Sequence, residues 1–554
     1  MADTMERIEQ AYREKAQRAQ TWSGLPLREC YGPGDVAGLD YQAQVGDPGQ
    51  FPFARGIHRD MYRGRYWTRR EVCGWGRGSD TNRWLKFQLQ EGITGVSVVF
   101  DNGGHLGLDA DHPQGRHELG VTGVSISSLR DAEDLWGDIP LDKVSTSIIE
   151  SCPALSVRVA EYLTVAERQG HDIACLRGNV QNDPLHFHFC GNGVATPVDM
   201  AVKMAVDVIE YLTRNVPHFY VCSINMYDLR ENSIGAAQEI AFGLAEAQAY
   251  IEKTLERGLD IDAFGPRMSF YVSAHVDLFE EVAKYRAMRR MWAHMLREKY
   301  GAKDERTLKF KAGVHTAGSS LTFQQPLNNV VRVAYEALAA ALGGVQSIHC
   351  CSYDEAISIP SPEALTIAIR TQQILAYETG VANVADPCGG SYYIEALTDK
   401  LEEEATRILR QIEAAGGMQK AIKTGLIEAE IQKAAVLRRK EVDEGQRVVV
   451  GVNAFQSETD EGAQTSTFRI PDEILRAQLE AMRRLREERD NAAVRRAIER
   501  LRGEAERGEQ HNLMPAIIEA VRCYATAGEI VGTIREVYGY RYDPLDMIQS
   551  PFAR

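Results

Sequence analysis

The chain has 554 residues, too many for one compact domain, and its 44% hydrophobic and 25% charged content is ordinary for a globular protein. The formal net charge of −15 argues against nucleic acid as a partner, because that role needs a basic face. No apolar run is long enough for a membrane span, and the 10 cysteines have no CxxC or framework spacing. With a polar segment 1–20 in place of a signal peptide, these features predict a cytoplasmic protein with reduced cysteines.

The first part of the chain is predicted to be an arm. Residues 1–20 have helical periodicity, whereas residues 21–90 are rich in Gly, Pro, Arg and aromatic residues and show little periodicity. We therefore assign 1–90 to an N-terminal extended arm that makes subunit contacts.

Residues 91–400 alternate short strands with longer helices such as Pro197–Arg214, Ile234–Arg257 and Phe279–Tyr300. The predicted strands are Gly95–Phe100, Lys143–Ile149, Asp172–Arg177, Phe219–Asn225, Ser269–Ala274, Thr307–Lys311, Gln346–Cys350 and, weakly, Ser391–Ile394. This alternation predicts an α/β fold of the (β/α)8 TIM-barrel type, with a doubly wound sheet as the alternative. Residues 401–554 are predicted to form a C-terminal helical region, including a charged helical segment 472–508.

The predicted strands carry unusual polar faces. By the two-residue period of a strand, one face holds the following side chains: Ser145, Ser147, Ser223, Asn225, Tyr227, Ser347 and His349. A barrel of this type ordinarily fills its axis with Val, Ile and Leu. The pattern therefore favours an open, polar axis that holds an elongated ligand, although polar faces of this kind also meet helix ends or water.

Several ordered phrases carry a family resemblance. They include Arg177-Gly-Asn-Val-Gln-Asn-Asp183, Leu321-Thr-Phe-Gln-Gln-Pro-Leu-Asn-Asn and Asp386-Pro-Cys-Gly-Gly-Ser-Tyr-Tyr. Together they resemble the large, catalytic subunit of the methylmalonyl-CoA mutase family of coenzyme B12-dependent acyl-CoA mutases, over nearly the whole chain. The resemblance implies a barrel that threads the pantetheine arm of coenzyme A along its axis and adenosylcobalamin as the cofactor of a radical rearrangement.

The family's cobalt-ligand phrase Asp-x-His-x-x-Gly does not occur in these residues. The resemblance therefore implies that a separate B12-binding small subunit holds most of the cofactor and that the two chains form a hetero-oligomer. We expect no metal site in this chain, since His186 and His188 lack further ligands at suitable spacing and are better interpreted as rim histidines.

The resemblance also implies the site residues. Gln181 matches a glutamine that hydrogen-bonds the thioester oxygen; its alternative role is to stabilise its loop. Four residues match family contacts to coenzyme A: Arg65, Thr68, Arg70 and Ser97. Arg267 matches an arginine at the substrate end of the fifth strand, where a structural salt bridge is the alternative.

Departures from the family pattern fall around the acyl group. Val72 replaces a tyrosine or phenylalanine, and Val99 stands where 2-hydroxyacyl-type mutases have an aspartate. Tyr227-Asp228 replaces Tyr-His, so an aspartate takes the place of a histidine that binds the thioester oxygen. We assign Gln181, Tyr227 and Asp228 to catalysis.

Two further positions bear on the substrate. His315 stands where the family has a glutamine, and Lys203 is the weakly aligned counterpart of the arginine that binds the methylmalonyl carboxylate. These differences favour a mutase for a branched or functionalised short acyl-CoA other than methylmalonyl-CoA. A methylmalonyl-CoA mutase large subunit and an inactive acyl-CoA-binding paralogue are the alternatives.

Overall fold

A computed structural model describes residues 19–114, 119–190, 196–457 and 470–552. Of the segment 1–20, predicted to be helical, residues 1–18 lie outside the described part. The strands are β1 Thr68–Arg70, β2 Val72–Cys73, β3 Gly95–Val99, β4 Ser145–Ile149, β5 Gly178–Val180, β6 Phe219–Tyr220, β7 Cys222–Asn225, β8 Met268–Ala274, β9 Ala312–Thr316 and β10 Ser347–His349. They form two five-stranded sheets, in the orders β1-β10-β9-β8-β7 and β2-β3-β4-β5-β6.

Helices connect these strands and fill the C-terminal region. In the described residues the α-helices are α1 Gly78–Glu91, α2 Asn102–His105, α3 Leu129–Trp136, α4 Ala154–Arg168, α5 Val198–Asn215, α6 Met226–Glu231, α7 Ala236–Glu256, α8 Ile261–Phe264, α9 Leu278–Glu298, α10 Asn328–Leu342, α11 Pro362–Tyr377, α12 Tyr392–Ala414, α13 Met418–Lys423, α14 Leu426–Asp443, α15 Asp472–Glu488, α16 Asn491–Ala505, α17 Met514–Arg522 and α18 Ala527–Val537. No helix in the described ranges is long and apolar enough to cross a bilayer.

The chain divides into two compact units, each made of discontinuous segments. Unit 1 comprises Met1–Arg69, Asn225–Ala245 and Phe270–Phe468, and unit 2 comprises Arg70–Ile224, Glu246–Ser269 and Arg469–Arg554. The architecture is therefore a mixed α/β fold with two parallel sheets. Closure into a (β/α)8 barrel and the division into 1–90, 91–400 and 401–554 stay predictions.

In unit 2 the strand register separates an apolar face from a polar one. Ser97 of β3 lies beside Val72 of β2 and Ser147 of β4, and Ser147 lies beside Asn179 of β5. The alternate residues Val98, Ile148 and Val180 are fully buried. Because successive side chains of a strand point to opposite faces, one face of this sheet is polar and the other packs in the core.

The same separation holds in unit 1. Tyr271 of β8 and Ser347 of β10 flank Gly313 of β9, and His315 of β9 is flanked by Ser273 and His349. On the opposite face, the alternate residues of the three strands are buried and apolar: Phe270, Val272, Val314 and Ile348. Polar strand faces are therefore a property of both units.

Three predicted strands are wrong in place or type. Asp172–Arg177 contains a short 3-10 helix that the Asp172 carboxylate caps by accepting from the Ala174 N–H at 2.9 Å, and the strand starts only at Gly178. The strand predicted at Thr307–Lys311 lies at Ala312–Thr316. Ser391–Ile394 opens helix α12, because the Ser391 side chain caps its amino terminus.

Candidate functional site

Gln181 directly follows β5 at the carboxyl edge of the unit 2 sheet. Its backbone N–H donates to the Ile148 carbonyl at 2.9 Å, and the residue is 4% exposed. The next two residues are fixed as well: Asn182 Nδ2 donates to the Ala205 carbonyl at 2.8 Å, and the Tyr250 hydroxyl donates to Asp183 Oδ1 at 2.6 Å. The backbone that carries Gln181 is thus held on both sides.

The predicted substrate residues of unit 2 form a row on its polar sheet face. Val72 and Ser97 are neighbours in register, and Val99 lies two residues beyond Ser97 on the same face. Arg70 is buried and donates to the Val96 carbonyl at 2.7 Å and to Ser145 Oγ at 2.6 Å. Its guanidinium therefore crosses the amino ends of β3 and β4, where it also lies 3.5 Å from Ser97 Oγ.

Arg65 and Thr68 lie in unit 1. The Thr68 N–H donates to the Gln346 carbonyl at 2.9 Å. Arg65 is exposed and lines a cleft of about 540 Å³ together with the following residues: Tyr62, Arg63, Gly64, Tyr66, Ala382 and Asn383. Two guanidinium groups at one open cleft suit a phosphorylated ligand.

Tyr227 and Asp228 lie in the first turn of helix α6, which begins directly after β7. The Asn225 side chain shapes this turn, because its Oδ1 accepts from the Asp228 N–H at 3.1 Å and its Nδ2 donates to Asp228 Oδ2 at 2.7 Å. The Tyr227 ring lies 4.7 Å from the His315 ring and 5.5 Å from the Tyr271 ring, centroid to centroid. The structure thus brings three predicted residues of unit 1 together: Tyr227, Asp228 and His315.

Burial favours the neutral forms of the His315 and Tyr227 side chains. It lowers the pKa of His315 to about 4, so the imidazole is neutral at physiological pH. Burial also raises the pKa of the Tyr227 hydroxyl well above its usual value. Tyr227 is further fixed by the Gly318 N–H, which donates to its oxygen at 3.2 Å.

Two predicted substrate residues lie in helix packing of unit 2. Lys203 Nζ, on α5, donates to Asp207 Oδ2 at 2.5 Å and to the His511 carbonyl at 3.0 Å. Arg267 precedes β8 and donates to the carbonyls of Leu212 and Thr213 at the end of α5, at 3.3 and 3.1 Å. Arg267 therefore stands at the amino end of its strand and caps a helix, and its predicted contact with the substrate stays a prediction.

The sequence analysis missed a His105–Glu150 pair in unit 2. His105 Nδ1 hydrogen-bonds Glu150 Oε1, and the Glu150 side chain is fully buried. Although burial opposes the charged form, the carboxylate of Glu150 raises the pKa of His105 above its usual 6.5. An acidic residue directly after the apolar end of β4 was the available signal.

The sequence analysis also missed a pair in unit 1. The Tyr271 hydroxyl lies 3.2 Å from His349 Nδ1 on the polar face of the sheet.

The described residues contain no group of three or more His, Cys, Asp or Glu that could hold a metal ion, and this includes the surroundings of His186 and His188.

Comparison with known proteins shows the family. Residues 20–540 match the family model of methylmalonyl-CoA mutase. The chain is 37% identical over 533 residues to the 2-hydroxyisobutanoyl-CoA mutase large subunit of Aquincola tertiaricarbonis, covering 96% of this chain and 94% of the relative. It is 37% identical over 536 residues to methylmalonyl-CoA mutase of Escherichia coli, covering 97% and 74%, and 34% identical over 519 residues to the human mitochondrial enzyme, covering 94% and 68%. The chain therefore belongs to the methylmalonyl-CoA mutase family, whose members are acyl-CoA mutases and thus isomerases.

Proposed function

We propose that this chain is the large subunit of an adenosylcobalamin-dependent mutase for a branched or functionalised short acyl-CoA other than methylmalonyl-CoA. The match over residues 20–540 supports the reaction class. The substrate proposal rests on Asp228, which stands where the resemblance implies a histidine and follows Tyr227, whose ring lies 4.7 Å from that of His315. Val72 and Val99 add aliphatic surface on the polar face of unit 2.

We propose Arg65, Thr68, Arg70 and Ser97 as contacts to coenzyme A. The cleft at Arg65, with Arg63 beside it, suits phosphate groups, because guanidinium forks make charge-assisted hydrogen bonds to phosphate oxygens. Thr68, Arg70 and Ser97 are the other proposed contacts. Arg70 already donates to strand carbonyls and to Ser145. Its proposed role is therefore both to hold the strand ends in place and to contact the ligand.

Gln181 is the proposed donor to the thioester oxygen. Its backbone N–H is fixed by the Ile148 carbonyl, and the residue stands at a strand's carboxyl end, where barrel enzymes place catalytic groups. A fixed donor stabilises the charge that develops on an oxygen during rearrangement, and it does so without reorganisation cost.

The cofactor assignment is compatible with the described residues. Adenosylcobalamin, when bound, supplies the radical that removes a hydrogen atom from the acyl group. Its corrin ring already surrounds the cobalt, so the absence of a three-ligand cluster in the described part of the chain does not conflict with it. His105, held by Glu150 through its Nδ1, is proposed as a polar contact to the side groups of such a ring. The relative from Aquincola tertiaricarbonis is named a large subunit, which supports a B12-binding small subunit as partner and a hetero-oligomer.

A screen of acyl-CoA isomerisation tests the proposal. The chain would be combined with a B12-binding small subunit and adenosylcobalamin, and each acyl-CoA would be followed by liquid chromatography and mass spectrometry. Isomerisation of a branched or hydroxylated acyl-CoA, dependent on all three components, is the expected result. Binding of acyl-CoA without isomerisation of any of them would favour the inactive paralogue instead.

A further inference from the structure

Two aromatic side chains lie in contact at the cleft of unit 1 that Arg65 lines. Tyr66 also lines this cleft and is 38% exposed. Its ring centre lies 5.3 Å from that of Tyr377, which is 61% exposed, and the two ring planes meet at 71°. Exposed apolar side chains that occur singly need no explanation, whereas grouped ones mark binding surfaces. The pair therefore offers ring surface to a flat ligand group.

The aromatic pair is held on a fixed backbone. Tyr66 follows a turn that is anchored by Tyr62, whose hydroxyl donates to the Val345 carbonyl at 2.7 Å. On the other side of the pair, Arg69 Nη1 donates to the Tyr377 hydroxyl at 3.3 Å. Because both rings are positioned within the chain itself, a ligand that stacks on them orders few groups, and less binding energy is lost to conformational entropy.

The same cleft carries positive charge. Arg63 and Arg65 both line it with exposed side chains, and among the residues that the structure describes neither side chain forms an ion pair or a hydrogen bond. Guanidinium forks make charge-assisted hydrogen bonds to phosphate oxygens. Asn383 lines the cleft as well, and its side-chain amide has the acceptor and donor that match N6 and N7 of adenine.

These features fit a nucleotide better than other ligands. A nucleotide combines a flat base, a polar base edge and phosphate groups, and the cleft offers ring surface, an amide and two guanidinium groups. An alkyl chain would leave the guanidinium groups unused, and inorganic phosphate would leave the rings unused. The cleft volume of about 540 Å³ lies within the range of small-molecule sites, about 300–1,000 Å³.

We propose that this cleft binds an adenine nucleotide. Tyr66 stacks on the base, and Asn383 contacts the base edge. Arg63 and Arg65 bind the phosphate groups. The nucleotide is either the 3′-phosphoadenosine diphosphate part of coenzyme A or a free nucleotide. In the first case the inference rests on the proposed function and extends it from phosphate contacts to recognition of the base.

Calorimetry with the full chain distinguishes the two sources. The ligands are coenzyme A, 3′-phosphoadenosine 5′-diphosphate, ATP and 4′-phosphopantetheine, which has no base. If coenzyme A supplies the nucleotide, 3′-phosphoadenosine 5′-diphosphate should bind more tightly than ATP, and coenzyme A more tightly than 4′-phosphopantetheine. Tighter binding of ATP than of 3′-phosphoadenosine 5′-diphosphate would assign the site to a free nucleotide. Failure of both nucleotides to bind would overturn the proposal.

Tyr66→Ala tests the stacking contact. Loss of a stacking aromatic side chain should weaken nucleotide binding about 5–150-fold. The variant should bind 4′-phosphopantetheine as the wild-type chain does, and Tyr66→Phe should restore nucleotide affinity. The matched control is Tyr335→Ala, because Tyr335 is 56% exposed and does not line the cleft, and it should leave nucleotide affinity unchanged.

The outcomes separate the inference from the proposed function. If coenzyme A binds and Tyr66→Ala has the nucleotide affinity of the wild-type chain, the inference is wrong and the proposed function is untouched. If nucleotide binding depends on Tyr66 but coenzyme A does not bind to the correctly folded chain, the inference holds and the proposed function fails.

Discussion

Arg230→Met tests whether the helix of Tyr227 and Asp228 depends on a buried ion network. Arg230 lies on α6 and is fully buried, with its guanidinium 3.4 to 3.7 Å from the carboxylates of Glu239, Glu280 and Glu281. It also hydrogen-bonds the Ile234 carbonyl and stacks 4.0 Å from the Trp22 ring centre. Without Arg230, Glu239 and Glu281 would keep one cation, Lys284, whereas Glu280 would lose its ion pair with Arg230 and keep its hydrogen bonds from Ser23.

The magnitude follows from burial. Removing one partner of a buried ion pair costs about 3–5 kcal/mol, because a charge is left uncompensated. Burial raises the pKa of Glu280 to about 7, so this carboxyl group can take up a proton near neutral pH and relieve part of the cost. We therefore expect a loss of about 3 kcal/mol at pH 7. The loss should be greater at pH 8 than at pH 6, because the folded state holds the protonated carboxyl only below the raised pKa.

Urea unfolding followed by circular dichroism at pH 6 and pH 8 measures this loss. The matched control is Lys299→Met, whose partner Glu413 is also on the surface, with the two side chains 41% and 40% exposed. An exposed pair contributes about 0–1 kcal/mol. A loss in Arg230→Met no larger than that of the control, or equal at both pH values, would refute the reasoning.

Three further variants address single residues. Gln181→Ala should lower kcat by about 10²–10³-fold and leave coenzyme A affinity nearly unchanged; steady-state kinetics with unchanged kcat would reject the assignment. Arg65→Ala should weaken coenzyme A binding about 10-fold or more through loss of a charged donor, while the exposed control Arg439→Ala, measured by the same calorimetry, should not. Glu150→Gln should lower the pKa of His105, which NMR titration can follow. Because the pKa of His105 is raised in the folded state, the stabilisation by this pair is full below pH 6.5 and is lost above the raised pKa. An unchanged His105 pKa in the variant would contradict the pairing argument.

The sequence predicted local structure well where a single physical signal dominated. Short strand-like runs predicted Gly95–Phe100 and Gln346–Cys350, which the structure has as Gly95–Val99 and Ser347–His349, and helical periodicity predicted the helix that is α5. Capping altered other predictions. The strand predicted from Ser391 is a helix because its hydroxyl caps α12, a choice that apolar content alone does not reveal.

The candidate site was predictable in its members but not in their partners. The family phrases identified Tyr227, Asp228 and His315, which the structure brings together in unit 1. Pairings such as Lys203 with Asp207 depend on which helix face is buried, and this is decided by packing between distant segments. The same holds for Glu150, whose partner His105 follows a different strand.

The central claim is that the acyl site does not favour methylmalonyl-CoA. The most direct measurement compares kcat/KM for methylmalonyl-CoA with the values for isobutyryl-, pivalyl- and 2-hydroxyisobutyryl-CoA, using the assembled enzyme. On the proposed placement of an ionised Asp228 beside the acyl group, an incoming carboxylate would meet a like charge at a cost of roughly 1–4 kcal/mol, depending on the effective dielectric. The account predicts that methylmalonyl-CoA is about tenfold or more poorer than the best of the other three. A methylmalonyl-CoA value tenfold or more above all of them would contradict it.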